Sequence, residues 1–250
     1  WVGLKNFELF FNSPYFVRLI RNTLVISGLS LAFVFPAPIL LSILLNEVRH
    51  SAYKRFIQTI SYFPHFISWV VIGGLLIYMF SVNVGFVNSV LADFGISPIR
   101  VLGNHRVFLP LLVGSAIWKE IGWGAIIYLA AIAGISPEQY EAATVDGANR
   151  FQRIMYITLP SMAPVIVIML ILRIGAILNV NFLQILVITG NDAGLYEVGD
   201  VIDTWVYRAG FFQGQMSLAT AVGLFKGVIS LVLVYGANRL ANKLTDSGLW

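Results

Sequence analysis

Read for the spacing of apolar and polar positions, the chain resolves into five long apolar stretches, at 22–45, 66–81, 108–135, 161–185 and 216–237. A bilayer core about 30 Å thick takes roughly 20 mainly apolar residues in helical form, and these stretches answer to that requirement. Pro36 and Pro38 predict a kink in the first, because proline lacks the donor N–H and clashes with the turn before it. The third carries Lys119 and Glu120 beside Gly122 and Gly124, which predicts a span broken or bent around an inward-facing polar spot. Arg173 stands alone in the fourth stretch and Lys226 in the fifth. With no fixed-period repeat and no low-complexity linker, the pattern predicts one all-α membrane domain over 1–250.

The connections differ in character. Residues 46–58 form a short basic link with Arg49, Lys54 and Arg55; 82–107 is long, with turn residues and a predicted short helix near 86–94. Residues 189–215 carry Asp192, Glu197, Asp200 and Asp203, with a predicted short helix near 197–208. Alternate connections fall on opposite faces. One face holds seven basic residues (Arg49, Lys54, Arg55, Arg150, Arg153, Arg239, Lys243) and the other six (Lys5, Arg18, Arg21, Arg100, Arg106, Arg208), too even for the positive-inside rule to set orientation. The opening WVGLKNFELFFNSPYFVRLIRN is amphipathic and aromatic, unlike a signal peptide. A chain that starts at Trp1 is expected to continue a segment ahead of it.

Composition narrows the class. Charged residues make up 11% and hydrophobic ones 58%, with a mean hydropathy of +0.82, against about 25% and 45–50% in soluble domains. Disorder, a disulfide scaffold and nucleic-acid binding are excluded, the second by the absence of cysteine. The pI of 9.4 adds little, since basic residues in such chains set orientation rather than partners.

The segment SPEQYEAATVDGANRFQRIMYITLPSMAP carries the most information. Ser136 is expected to cap a helix, with Pro137 and Glu138 suited to its first turn. The helix should run over 138–145 and stop at Gly147, which can take a positive φ. A second short helix is expected over 149–157, ending at Leu159-Pro160, from which the next span starts. Two short helices held at an angle at a membrane surface form a projecting knob suited to docking; an ordinary interfacial loop reads equally well from these residues alone.

Glu141-Ala142-Ala143, then Gly147, then Ile157, Leu159 and Pro160 match every specified position of the EAA motif of binding-protein-dependent ABC importer permeases. Further segments, among them RNTLVIS, FPAPILLSILLNEVR, QTISYFPHFISWVV and VGDVIDTWVYR, resemble the LplB-type polysaccharide and oligosaccharide permeases of the maltose-transporter superfamily. The resemblance implies a type I importer transmembrane domain of six spans, the sixth preceding Trp1, in a bacterial inner membrane. It implies a cytoplasmic EAA loop that couples the chain to ATP hydrolysis, an outward-facing 189–215 loop and saccharide import. It also implies a second permease subunit, two ATPase subunits carrying ATP and Mg, and an extracytoplasmic solute-binding protein. The chain itself has no G-x-x-x-x-G-K-[ST] loop, and no Gly is followed directly by Lys, so it is not expected to be an enzyme or to bind a cofactor.

Other polar groups are candidates for a substrate path. A charge at mid-span costs at least about 2.5–3.5 kcal/mol on insertion scales, so Arg173 and Lys226 either line water or pair with neighbouring groups. Asn179, Asn181 and Gln184 could bond sugar hydroxyls or adjacent helices. Trp118, Trp123 and Tyr128 could stack on sugar rings or pack between helices and at the interface. His50, His65 and His105 fit no metal-ligand spacing. The rival readings are a permease for a non-sugar solute and an intramembrane enzyme; the second would need a convergent acid/base or nucleophile pair that the sequence does not offer.

Overall fold

The computed structural model describes residues 2–82, 85–190 and 192–245. Four helices are long and apolar enough to cross a membrane: α2 (Phe16–Glu47), α6 (His105–Ala133), α8 (Arg150–Gly175) and α12, whose span covers Met216–Lys243. A fifth crossing is available if the pair Ser51–Phe66 and Trp69–Phe80, bent by 99°, counts as one. Shorter helices join them: α1 (Lys5–Phe11), α3 (Ser51–Tyr62), α4 (Trp69–Phe80), α5 (Phe86–Asp93), α7 (Pro137–Val145), α9 (Phe182–Thr189), α10 (Tyr196–Gly199) and α11 (Ile202–Tyr207). No strand occurs among the described residues.

Several sequence expectations change. The prolines of α2 do not stop it; a π turn over Ser30–Val34 absorbs them immediately upstream, the usual way a helix tolerates lost donors. The supposed link at 46–58 is largely the amphipathic helix α3, and the second span starts at Trp69 rather than 66. A 3-10 turn over Phe63–Phe66, built on Pro64, separates the two, and Ser68 caps α4 by accepting the N–H of Val71 at 3.3 Å. The fourth stretch does not run through to 185: α8 ends at Gly175 and α9 restarts at Phe182. Hydropathy misses this break because side chains satisfy the freed backbone. The Ser27 hydroxyl donates to the Ile177 carbonyl, and Asn181 accepts the N–H of Gln184 at 3.3 Å.

The backbone clusters into two compact units. The first comprises Trp1–Ser30, Ile67–Ser115 and Ala176–Leu231. Its core contains Ile26, Phe108, Leu112, Ile185 and Val201, with a second aromatic-rich cluster around Phe10, Leu19, Ile202 and Val222. The other unit comprises Leu31–Phe66, Ala116–Gly175 and Val232–Trp250, cored on Ile39, Ile43, Tyr128, Ile132 and Met162.

Candidate functional site

The 136–160 segment folds as a tight helix–turn–helix. Ser136 makes no side-chain cap, contrary to expectation, so α7 starts on Pro137 and Glu138 alone. At its end Ala148 donates its N–H to the Ala143 carbonyl at 2.8 Å and Gly147 donates to Thr144 at 3.1 Å, with Gly147 at φ +79. That pair of bonds is a Schellman stop, which needs a left-handed residue at this point. Asn149 then caps the next helix: its side chain accepts the Gln152 N–H at 2.9 Å while the Gln152 side chain accepts the Asn149 N–H at 2.8 Å. Tyr140 and Thr158 hydroxyls meet at 2.9 Å, and Arg153 donates to the Thr144 hydroxyl at 3.0 Å, so both helices are tied together.

The second helix does not end at Leu159-Pro160. It continues through a π turn over Ile154–Thr158 into the span, making Arg150–Gly175 one helix. The loop is thus clamped to a membrane-crossing rod. Glu141, Ala142 and Gly147 are exposed, Ala143, Ile157 and Leu159 are half-buried, and Pro160 is exposed on the rod. Val145 (87% exposed), Phe151 (70%) and Tyr156 (78%) add uncovered apolar surface that the motif alone did not signal.

Within the same unit α6 runs unbroken past Lys119 and Glu120. The break lies in the partner instead. Lys119, 6% exposed, donates to the carbonyls of Pro64 and His65 at the end of the 3-10 turn, a cation on a helix C-terminus. The Glu120 carboxylate meets His65 Nδ1 at 2.8 Å, and the His65 ring stacks on Trp123 at 4.5 Å. Gly122 and Gly124 serve approach rather than bending: a Cβ on Gly122 would lie 2.1 Å from the Ser61 carbonyl oxygen, and one on Gly124 would lie 2.8 Å from Pro38. Arg173 is exposed in this unit, within electrostatic range of Glu120. Trp118 and Trp123 are both about half exposed.

The other unit holds a buried charge hub that sequence reasoning missed. Asp200, 1% exposed, accepts Arg208 at 2.7 Å on both oxygens, Arg18 at 3.3 Å and the Thr204 hydroxyl at 2.8 Å. Asn22 donates to the carbonyls of Glu197 and Asp200, both at 3.0 Å. The predicted single helix at 197–208 is therefore two, α10 and α11, parted at Asp200. Lys226 is not left without a carboxylate at membrane depth, since it is ion-paired with Asp203. Gln184, 5% exposed, donates to the Leu112 carbonyl at 2.7 Å and Ser115 at 3.0 Å, while Asn179 and Asn181 are exposed in the break before α9. No cluster of metal-ligating side chains occurs among the described residues.

Residues 35–246 match the family described as binding-protein-dependent transport system inner membrane component. The chain is 46% identical over 250 residues to protein LplB of Bacillus subtilis (strain 168), covering all of this chain and 78% of that one. It is equally 46% identical to the polygalacturonan/rhamnogalacturonan transport system permease protein YteP of the same organism, covering 77% of it. Among solved structures, a chain of a bacterial alginate ABC transporter in complex with an alginate pentasaccharide-bound periplasmic protein superposes with a TM-score of 0.92 at 43% identity, covering 99% of this chain and 85% of that one.

Proposed function

The chain belongs to the family of binding-protein-dependent transport system inner membrane components, multi-pass proteins of the inner membrane, and from that premise we propose that it is the permease subunit of an importer for acidic oligo- or polysaccharides. The observation that carries the substrate class is similarity, over essentially all of this chain, to a permease named for polygalacturonan and rhamnogalacturonan and to a chain of an alginate transporter. All three polymers carry uronate carboxylates.

In this reading 1–250 is a single permease domain. The 136–160 loop docks on one of two ATPase subunits, which hold ATP and Mg, while a second permease and an extracytoplasmic binding protein complete the assembly. Glu141 meets a basic groove on the ATPase, and Ala142 and Ala143 permit close approach. Ile157, Leu159 and Pro160 carry the motion along α8 into its membrane-crossing part. The exposed Val145, Phe151 and Tyr156 supply apolar contact area for that dock. On the substrate path, Arg173 offers a cation to uronate carboxylates and Trp118 and Trp123 offer aromatic faces. Exposed Asn179 offers its amide to hydroxyls, and Asn181, whose side-chain oxygen caps α9, offers its amide N–H. Gln184 and Lys226, committed to intramolecular partners, act by shaping their unit.

The test is uptake by proteoliposomes holding the assembled complex and its binding protein. A galacturonate tetramer is expected to be carried in preference to a neutral arabinose tetramer. Preference for the neutral compound overturns the acidic assignment, and transport of neither overturns the saccharide reading.

A further inference from the structure

Between α1 and the first turn of α12 lies a groove of about 680 Å³, within the size range of ligand clefts (about 300–1,000 Å³). Trp205 forms its aromatic wall, and the rim carries Lys5, Glu8, Asn12 and Gln215. The wall is fixed from behind. Phe10, wholly buried, packs on the Trp205 ring at 5.6 Å and on Phe225 at 5.7 Å, and α11, which bears Trp205, follows directly on the Asp200 hub. Gly214, at φ +69, turns the chain so that Gln215 opens α12, its N–H bonded to the Ala209 carbonyl at 2.9 Å.

The rim groups are uncommitted. Among the described residues, the side chains of Lys5, Glu8, Asn12 and Gln215 and the indole N–H of Trp205 make no hydrogen bond or ion pair. A rigid aromatic face beside unpaired amide and charged groups suits a ligand with an apolar ring face and many hydroxyls. An acyl chain would want a continuous apolar lining, whereas here Leu9, Pro14 and Met216 alternate with polar residues.

We propose that this groove is a saccharide subsite, with a sugar ring against Trp205, hydroxyls bonded by Asn12 and Gln215, and a uronate carboxylate on Lys5. The inference rests on the reading that the chain carries saccharides. The groove is built from the segments before the first and the last span, which lie on one membrane face. Counting crossings, that face is opposite to the 136–149 loop. With that loop in the cytoplasm, the groove opens where substrate arrives, as a station ahead of the path itself.

The experiment is equilibrium binding of a galacturonate tetramer to the assembled transporter without its binding protein, followed by NMR saturation transfer. Asn12→Ala and Gln215→Ala break no internal bond, so the fold should survive them. Each is expected to raise the dissociation constant about fivefold, the worth of one hydrogen bond. Trp205→Phe should raise it further, and Lys5→Gln should weaken the galacturonate but not a neutral arabinose tetramer. Basal ATPase activity should stay unchanged in all four. Wild-type affinity in every variant overturns the subsite. So does loss of a co-purifying lipid from the variants with saccharide binding intact, which would mark a headgroup site. If the wild type transports saccharide yet these variants bind it normally, only the groove fails. If the wild type neither transports nor binds it, the functional reading falls and the groove with it.

Discussion

Gly147 shows how one residue type answers to geometry. Its φ of +79 closes the Schellman turn between the two helices of the loop, a conformation that costs an ordinary L-residue about 1–2 kcal/mol and that proline, locked near −65°, cannot adopt. Gly147→Pro is expected to abolish uptake while membrane insertion, measured by fractionation, is kept. Glu141→Lys should do the same without altering the loop, because Glu141 is exposed and the proposed coupling sets it against the ATPase. Normal transport by both would remove the loop from coupling. Arg173 and Lys226 looked alike in the sequence, two lone charges in apolar spans, and nothing there separated them. The structure does: Lys226 is ion-paired with Asp203 on a neighbouring helix, whereas Arg173 is exposed and lies within electrostatic range of Glu120. Arg173→Gln is expected to lower transport of a uronate oligomer more than that of a neutral one. Lys226→Gln should instead lower thermal stability, because it leaves a partly buried carboxylate unpaired, and Asp203→Asn in the same chain should restore much of the loss. Equal effects of Arg173→Gln on both saccharides would assign it to structure.

At the scale of elements, apolar runs were legible and their interruptions were not. Hydropathy sees side chains, and a span can break wherever other side chains satisfy its backbone. Ser27 and Asn181 do this around 176–181, and Lys119 does it at the end of the Phe63–Phe66 turn. Lys119 and Glu120 thus signalled a real break, but in the helix opposite. Their neighbours Gly122 and Gly124 read as bend points, although a bend and a close approach ask for the same residue. A test separates the two uses. Gly122→Ala would set a Cβ 2.1 Å from a backbone oxygen, which cannot swing aside as a side chain would. It is expected to lower the melting temperature of the purified complex by several degrees, a loss in the range of about 1–3 kcal/mol for overpacking. Gly114→Ala, facing open space on the same helix, should leave it unchanged or slightly raised, since alanine is the better helix former. Similar behaviour of the two would mean that the contact with Ser61 is not a constraint.

For the whole molecule, the four or five apolar crossings and the helix–turn–helix form of the 136–160 loop could be read directly, whereas orientation could not. The even split of basic residues has a structural reason: Arg18 and Arg208 are held by Asp200, and Arg21 by the Glu197 carbonyl at 3.1 Å. These three are kept by the buried hub, so their presence says little about which face is inside. The hub draws on residues far apart in sequence, which is why no local pattern announced it. Orientation can be measured cleanly because the chain has no cysteine, so a single introduced thiol reports without background. Ala142 and Ala148 flank the Schellman turn, Ala142 exposed and Ala148 half-buried. Ala142→Cys and Ala148→Cys are each expected to crosslink to an ATPase subunit in the intact complex, and to resist a bulky membrane-impermeant thiol reagent added to whole cells. Asn12→Cys, on the rim of the proposed saccharide groove, should show the reverse: ready labelling from outside and no crosslink to the ATPase. If the labelling pattern is exchanged, the chain is inverted relative to this account, and both the coupling loop and the groove lose their assignments together.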